Sequence, residues 1–187
     1  MDAITALTTR ASAFKLTEPA PSQEDLDTIL AAAVRAPDHG RLRPWRFLCI
    51  RGAAREKLGR AMAEKMARDN AEANASMLAR TAAKPLRAPL IIAVIGTVDT
   101  EHPKIPEIEQ VLSAGSAAQN IMLAAYALGY GCMWKTGEIC YDDAFKALLG
   151  VKPTDHIVGF MYLGTIDASA QMEIDRPDFR SLVSEWQ

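Results

Sequence analysis

Cysteine is scarce: Cys49, Cys132 and Cys140 make an odd count with no CxxC pair. A disulfide framework is therefore not expected, and a reducing cytoplasm fits. Neither sign of charge dominates, with 21 Lys+Arg against 23 Asp+Glu and a formal net charge of −2. Such a chain has no basic field to hold a polyphosphate backbone, so nucleic acid is not expected as a partner. Histidine is limited to His39, His102 and His156, with no HExxH and no Cys/His cluster, and no metal site is expected. Phosphate loops are missing as well. There is no GxxxxGK[ST] and no GxGxxG, and Gly129-Tyr130-Gly131 leaves a helix and enters a strand, the reverse of a Rossmann order. Ser113 and Ser116 lie in no GxSxG and fall mid-helix. An enzyme without metal, triad or dinucleotide loop draws its reactivity from a tightly held organic cofactor.

Two stretches bear on targeting. The apolar run 3–7 is short and is followed by Arg10 rather than preceded by a basic residue, so it does not read as a signal peptide. Residues 110–134 carry no charge, but Gln110, Ser113, Ser116, Gln119 and Asn120 interrupt them and much of the rest is alanine. A membrane span needs about 20 predominantly apolar residues, so this stretch reads as a helix buried inside protein, and no membrane is expected.

What is present is one globular domain, 1–187, with 49% apolar and 24% charged residues, enough to bury a core. The pattern is α+β, with four or five strands and a larger number of helices. A short helix covers 2–8. Ser22 with Asp25 three residues on opens a second helix that runs to about Arg35, with Leu26, Ile29, Leu30, Ala33 and Val34 on one face. Residues 36–40 form a turn and 45–50 a strand; 53–80 hold two polar helices. Residues 89–96 are the most buried-looking strand, 102–106 a loop and 107–128 a long helix. Strands at 130–135 and 156–164 flank a helix at 142–149, and the chain beyond Gly164 is irregular and polar.

Three stretches hold side chains able to do chemistry. Arg10-Ala11-Ser12 sits where a helix ends; Arg and Ser suit a phosphate, though a cation at a helix end is also an ordinary stabilising feature. Arg35, His39, Arg41 and Arg43 crowd one turn before Pro44-Trp45, which alone is equally a surface turn feeding an edge strand. Trp134-Lys135-Thr136-Gly137 closes the uncharged run and reads as either a site or a simple strand end. The small residues 113–118 permit close approach of another backbone, within the chain or across a subunit interface.

In their order these stretches resemble the nitroreductase family of FMN-dependent oxidoreductases, and within it a short, compact bacterial branch. The carriers are Arg10-Ala11-Ser12-Ala13-Phe14, with Ala11 and Phe14 where the family has basic residues; the run from Ala36-Pro37-Asp38-His39-Gly40 through Arg43-Pro44-Trp45; the Leu128–Gly137 segment; and Val158-Gly159-Phe160-Met161-Tyr162-Leu163-Gly164. The resemblance implies a three-layer α-β-α fold around a mainly antiparallel sheet of about five strands, and a two-fold homodimer with FMN in its interface. It implies Arg10, Ala11 and Ser12 on the phosphate and ribityl chain, Arg35 and His39 reaching the flavin from the partner, and Trp134, Lys135 and Thr136 along the isoalloxazine. Arg35 and Lys135 are both candidates for the cation near N1 and O2. The implied activity is ping-pong transfer of hydride from NADH or NADPH to nitroaromatic, quinone-like or related small acceptors, with chemistry at flavin N5 and no catalytic side chain. The 53–87 region would be the lid, with no evident specificity device. A same-fold flavoenzyme with another reaction, or a flavin-binding module without turnover, are the alternatives.

Overall fold

The computed structural model describes residues 1–167, 169 and 178–187. Its centre is the apolar run LIIAVIG, which forms strand β3 (Leu90–Gly96) with every residue buried. Seven residues are too few for a core helix, and a strand covered on both faces needs no polar alternation. Leu90, Ile92 and Val94 face one core, Ile91, Ala93 and Ile95 the other. β3 pairs antiparallel with β2 (Trp45–Arg51) on one side and β5 (His156–Ile166) on the other. β5 also pairs with β4 (Gly131–Lys135) and, near its end, with the two-residue β1 (Leu16–Thr17). The expected five-stranded sheet is thus observed, with all its pairings antiparallel.

Helices lie on both faces, giving the three layers. One layer holds α1 (Ala3–Thr9), α2 (Gln23–Ala33) and α5 (Glu107–Ala127). The Ser22 hydroxyl accepts from the Asp25 N–H at 3.1 Å, as the spacing predicts, and the Asp25 carboxylate in turn accepts from Tyr130 at 2.7 Å. α2 stops two residues before Arg35. The N–H groups of Arg35 and Ala36 fold back to Ala32 and Ala33 in tighter turns, because Pro37 disfavours helix at the residue before it. Val34 consequently leaves the apolar face and is 48% exposed. In α5 the small residues Ser113, Ala114, Ala117 and Ala118 are buried within the chain, where Asn120 donates to the Ala32 carbonyl of α2 at 3.1 Å. Their close partner is therefore α2 and the sheet.

The opposite layer holds α3 (Ala53–Asp69), α4 (Ala75–Ala82) and α6 (Asp143–Leu148). Leu58 and Phe145 join its core, and the Phe145 ring meets Phe160 of β5 edge-on at 6.3 Å. The sequence expectation missed β1, a pair of residues with no periodicity to read, and β5 continues two residues past Gly164. The expected irregular tail falls partly on 168 and 170–177, outside the described residues; 179–182 form a short 3₁₀ turn. Among the described residues no helix is long and apolar enough to cross a membrane.

Candidate active site along strand β4

β4 is the spine of the site. At its start the Ala13 N–H donates to the Cys132 carbonyl at 3.1 Å, laying residues 10–13 beside the strand. Arg10 caps α1 with its own N–H on Ala6 and is half-buried, as are Ala11 and Ser12. Burial pushes the Cys132 thiol up to about 12, and the Arg10 guanidinium acts against that rise. The first expected cluster is thus a cation and a hydroxyl held at a partly dry edge of the sheet.

At its far end β4 makes its last pair, Lys135 with Phe160. Successive strand side chains point to opposite faces, so Trp134 and Lys135 part company. Trp134 packs against the α2/α5 core and donates from Nε1 to the Val158 carbonyl at 3.2 Å. It can do so because residue 159 is glycine: a Cβ there would overlap Trp134 Nε1 and lie 2.7 Å from its Cδ1. Lys135, Thr136 and Gly137 instead border a cavity of 570 Å³ on the α3/α4 side, with Met62, Met66, Ile139 and Tyr162 among its apolar walls. Thr136 lies beyond the last ladder pair.

This cavity is electropositive. Four basic residues line it (Lys65, Lys84, Arg87, Lys135) against two acidic ones, Asp69 and Glu138, in a chain whose net charge is −2. Lys65 is bonded to Asp69 and holds that carboxyl below its ordinary range. Burial pushes the Tyr162 phenol up to about 12, with the Arg87 charge acting in the opposite direction. The 53–87 region, expected to lack a specificity device, therefore supplies three of the four cations. It is also fastened down: Arg68 of α3 pairs with Asp142 at the N-cap of α6, and Arg55 donates to the Ala88 carbonyl at 2.7 Å. Lys65, Lys84, Arg87 and Tyr162 carry no motif, and tertiary convergence alone brings them together.

Arg35 and His39 lie elsewhere in the chain. Arg35 borders a 470 Å³ groove with Ala6, Leu7, Asn120 and Leu123 of α1 and α5, and neither residue lines the β4 cavity. The turn that carries His39 is strained: Gly40, Arg41 and Arg43 have φ of 71°, 58° and 51°, where side-chain-bearing residues cost roughly 1–2 kcal/mol each. Asp38 holds it by accepting the Arg43 N–H at 2.7 Å. His39 Nδ1 sits 2.6 Å from Glu109 at the start of α5. Within one chain the expected site residues thus part: six lie along β4, Arg35 borders the α1/α5 groove and His39 sits at the start of α5. No cluster of His, Cys, Asp and Glu able to hold a metal occurs among the described residues.

Known proteins are similar to this chain in sequence and in fold. Residues 7–165 match the nitroreductase family. YdjA of Escherichia coli K12, provisionally named an NAD(P)H nitroreductase, is 40% identical over 178 residues, 95% of this chain and 96% of its own. A nitroreductase-like family protein from Bacillus cereus superposes with a TM-score of 0.81 at 24% identity, over 100% of this chain and 97% of its own. A protein from Desulfovibrio desulfuricans, provisionally called a nitroreductase and crystallised with FMN, does so with a TM-score of 0.74 at 25% identity, over 98% and 96%. By the span of the match and the identity of these relatives, the chain belongs to the nitroreductase family.

Proposed function

We propose that the chain, as a single FMN-binding unit over 1–187, is a cytoplasmic, homodimeric NAD(P)H-dependent oxidoreductase reducing nitroaromatic, quinone-like or related small acceptors. The observation that carries this is the continuity of β4, which joins the Arg10–Ser12 donors at one end to an open cavity at the other. The residues present fit FMN. A half-buried guanidinium and hydroxyl suit its phosphate, and a Cβ at Gly137 would meet nothing within 4 Å, leaving room for a ring at the strand end. Bound FMN supplies the redox chemistry, taking hydride from NAD(P)H and passing it to the acceptor in alternate half-reactions. Arg10 and Ser12 hold the phosphate, with Ala11 giving backbone alone. Residues 134–136 offer main chain along the ring, the Thr136 N–H donating at its N5 edge. Lys135, in the cavity, is the better placed of the two candidate cations to stabilise negative charge at N1 and O2, and Met62, Met66 and Ile139 limit water.

Dimerisation is supported by exposed apolar residues on the α1/α5 face, namely Ile4, Leu7, Ile108 and Leu112. A two-fold axis through that face would let one patch close the assembly and would let Arg35 and His39 serve the partner's site. The three cysteines are free thiols, in keeping with a reducing compartment. The test is the visible spectrum of the purified protein, then anaerobic addition of NADH and of NADPH. A yellow protein bleached by either is expected. A protein that gains no flavin absorbance on incubation with FMN, or whose flavin neither nucleotide reduces, refutes the proposal.

A further inference from the structure

The turn that carries His39 is held in its strained shape from three directions. Inside it, Asp38 accepts the Arg43 N–H at 2.7 Å. Beside it, Ile105 packs so close to Gly40 that a Cβ there would lie 2.4 Å from Ile105 Cδ1. Ile105 is in turn fixed through its main chain. Its N–H donates to His102 Nδ1 at 2.9 Å, and its carbonyl accepts from the buried Gln110 amide at 3.1 Å. On the third side the Glu109 carboxylate meets His39 Nδ1 at 2.6 Å. Arg41 and Arg43 keep φ of 58° and 51°. Backbone strain of this kind persists only where surrounding contacts over-determine it, and it gathers at functional sites. What the turn delivers is an imidazole with one nitrogen engaged and one open. The His39 side chain is 60% exposed, and its Nε2 has no hydrogen-bond partner among the described residues.

We propose that Glu109 is a positioning residue for His39, fixing both its ring orientation and its tautomer so that Nε2 meets the flavin of the partner's site. This rests on the reading above, in which His39 serves the partner, and adds to it the residue that aims the ring. An ionised carboxylate only accepts hydrogen bonds, so the hydrogen of the pair sits on Nδ1. The bond made by one ring nitrogen decides what the other can do, and here it leaves Nε2 for a ligand. Glu109 lies in the first turn of α5, where the helix dipole suits an acidic side chain. Its neighbours Ile108 and Leu112 are 61% and 62% exposed, so the pair stands at the edge of the face through which the two-fold axis would pass. The same helix turn carries an internal control. Glu107 meets His156 at 2.7 Å, but there the engaged nitrogen is Nε2 and the histidine opens β5 rather than the strained turn.

The test joins imidazole nitrogen NMR shifts of the flavin-free protein, which report the nitrogen that carries the hydrogen, to FMN titration. The wild type should show His39 as the Nδ1–H form, and Glu109→Ala should move it toward Nε2–H. His39→Ala should weaken FMN binding by about twofold to twelvefold, the range for one ordinary hydrogen bond. Glu109→Ala should lose a similar factor, and the double variant no more than His39→Ala alone. Glu109→Gln keeps an acceptor oxygen and should restore most of the tautomer and of the affinity. Glu107→Ala removes the same charge from the same helix turn and should leave both unchanged. A His39 tautomer indifferent to Glu109→Ala overturns the proposal. So do losses that multiply in the double variant, and an equal loss in Glu107→Ala, which assigns the effect to charge alone. A lowered unfolding midpoint with unaltered FMN affinity overturns it too, leaving Glu109 a structural role only. A wild type that takes up no FMN refutes the oxidoreductase reading and this role with it, whereas failure of the proposal alone leaves wild-type FMN uptake intact.

Discussion

Replacing Gly159 with alanine tests how the end of β4 is aimed. The new Cβ would overlap Trp134 Nε1, stand 2.7 Å from its Cδ1 and lie 3.1 Å from the Lys135 carbonyl. The carbonyl belongs to the ladder and cannot retreat alone, so the indole must move. Overpacking of this kind costs about 1–3 kcal/mol, and the lost Trp134–Val158 hydrogen bond adds about 0.5–1.5 kcal/mol. A total of roughly 1.5–4.5 kcal/mol is a large share of a typical stability of about 5–15 kcal/mol. Urea unfolding followed by far-ultraviolet circular dichroism should show it as a lowered midpoint. The double variant Gly159→Ala/Trp134→Ala removes the clash, so it should be little worse than Trp134→Ala, with a coupling of about 1–3 kcal/mol. An unchanged midpoint for Gly159→Ala, or strict additivity in the double variant, refutes the packing argument.

Arg10→Ala should weaken FMN binding by about 10- to 150-fold, the equivalent of about 1.5–3 kcal/mol for a charge-assisted bond, with the circular dichroism spectrum unchanged; titration of the flavin-free protein checks it. Leu112→Glu, at a residue 62% exposed on α5, should reduce the mass seen by light scattering from two chains to one and deplete bound flavin, whereas Ala117→Glu, at 0% exposure, should prevent folding altogether. The fold favours neutral Tyr162, whose ordinary value of 10.0 is raised to about 12. That contribution is complete below pH 10 and is lost as the pH rises toward 12, so the Tyr162→Phe protein should lose less thermal stability than the wild type between pH 10 and 12.

The strand signals were legible where burial was one-dimensional. β3 declares itself by an unbroken apolar run, and Ser22/Asp25 declares the start of α2 through local chemistry. Arg10–Ser12 and 134–136 could be assigned together from motif order, and the structure lays both along one strand. The resemblance groups Trp134 with Lys135, although the period of two sets them on opposite faces and Cys132, on the Trp134 face, belongs to the core. Nothing local announces that Lys65, Lys84, Arg87 and Tyr162 meet, since α3, a 3₁₀ turn and β5 must first fold together. The same holds for the pairing of His39 with Glu109, 70 positions apart. The small residues of α5 left intrachain packing and a subunit interface equally open, and only the position of α2 decides between them.

The Arg68–Asp142 tether acts at the seam between two halves of the molecule. It ties the wall of α3 to the segment just after Glu138–Tyr141, which follows Gly137 at the mouth of the cavity. One jaw of the slot is thereby clamped at its tip, while the Lys84–Arg87 turn opposite is held at its end by the Arg55–Ala88 hydrogen bond and by the buried ring of Pro85. Substitution at Lys84 or Arg87 would therefore change the charge of the slot while leaving the sheet ladder intact. The slot's shape is thus fixed from both sides, and its charge is the property left open to single substitutions.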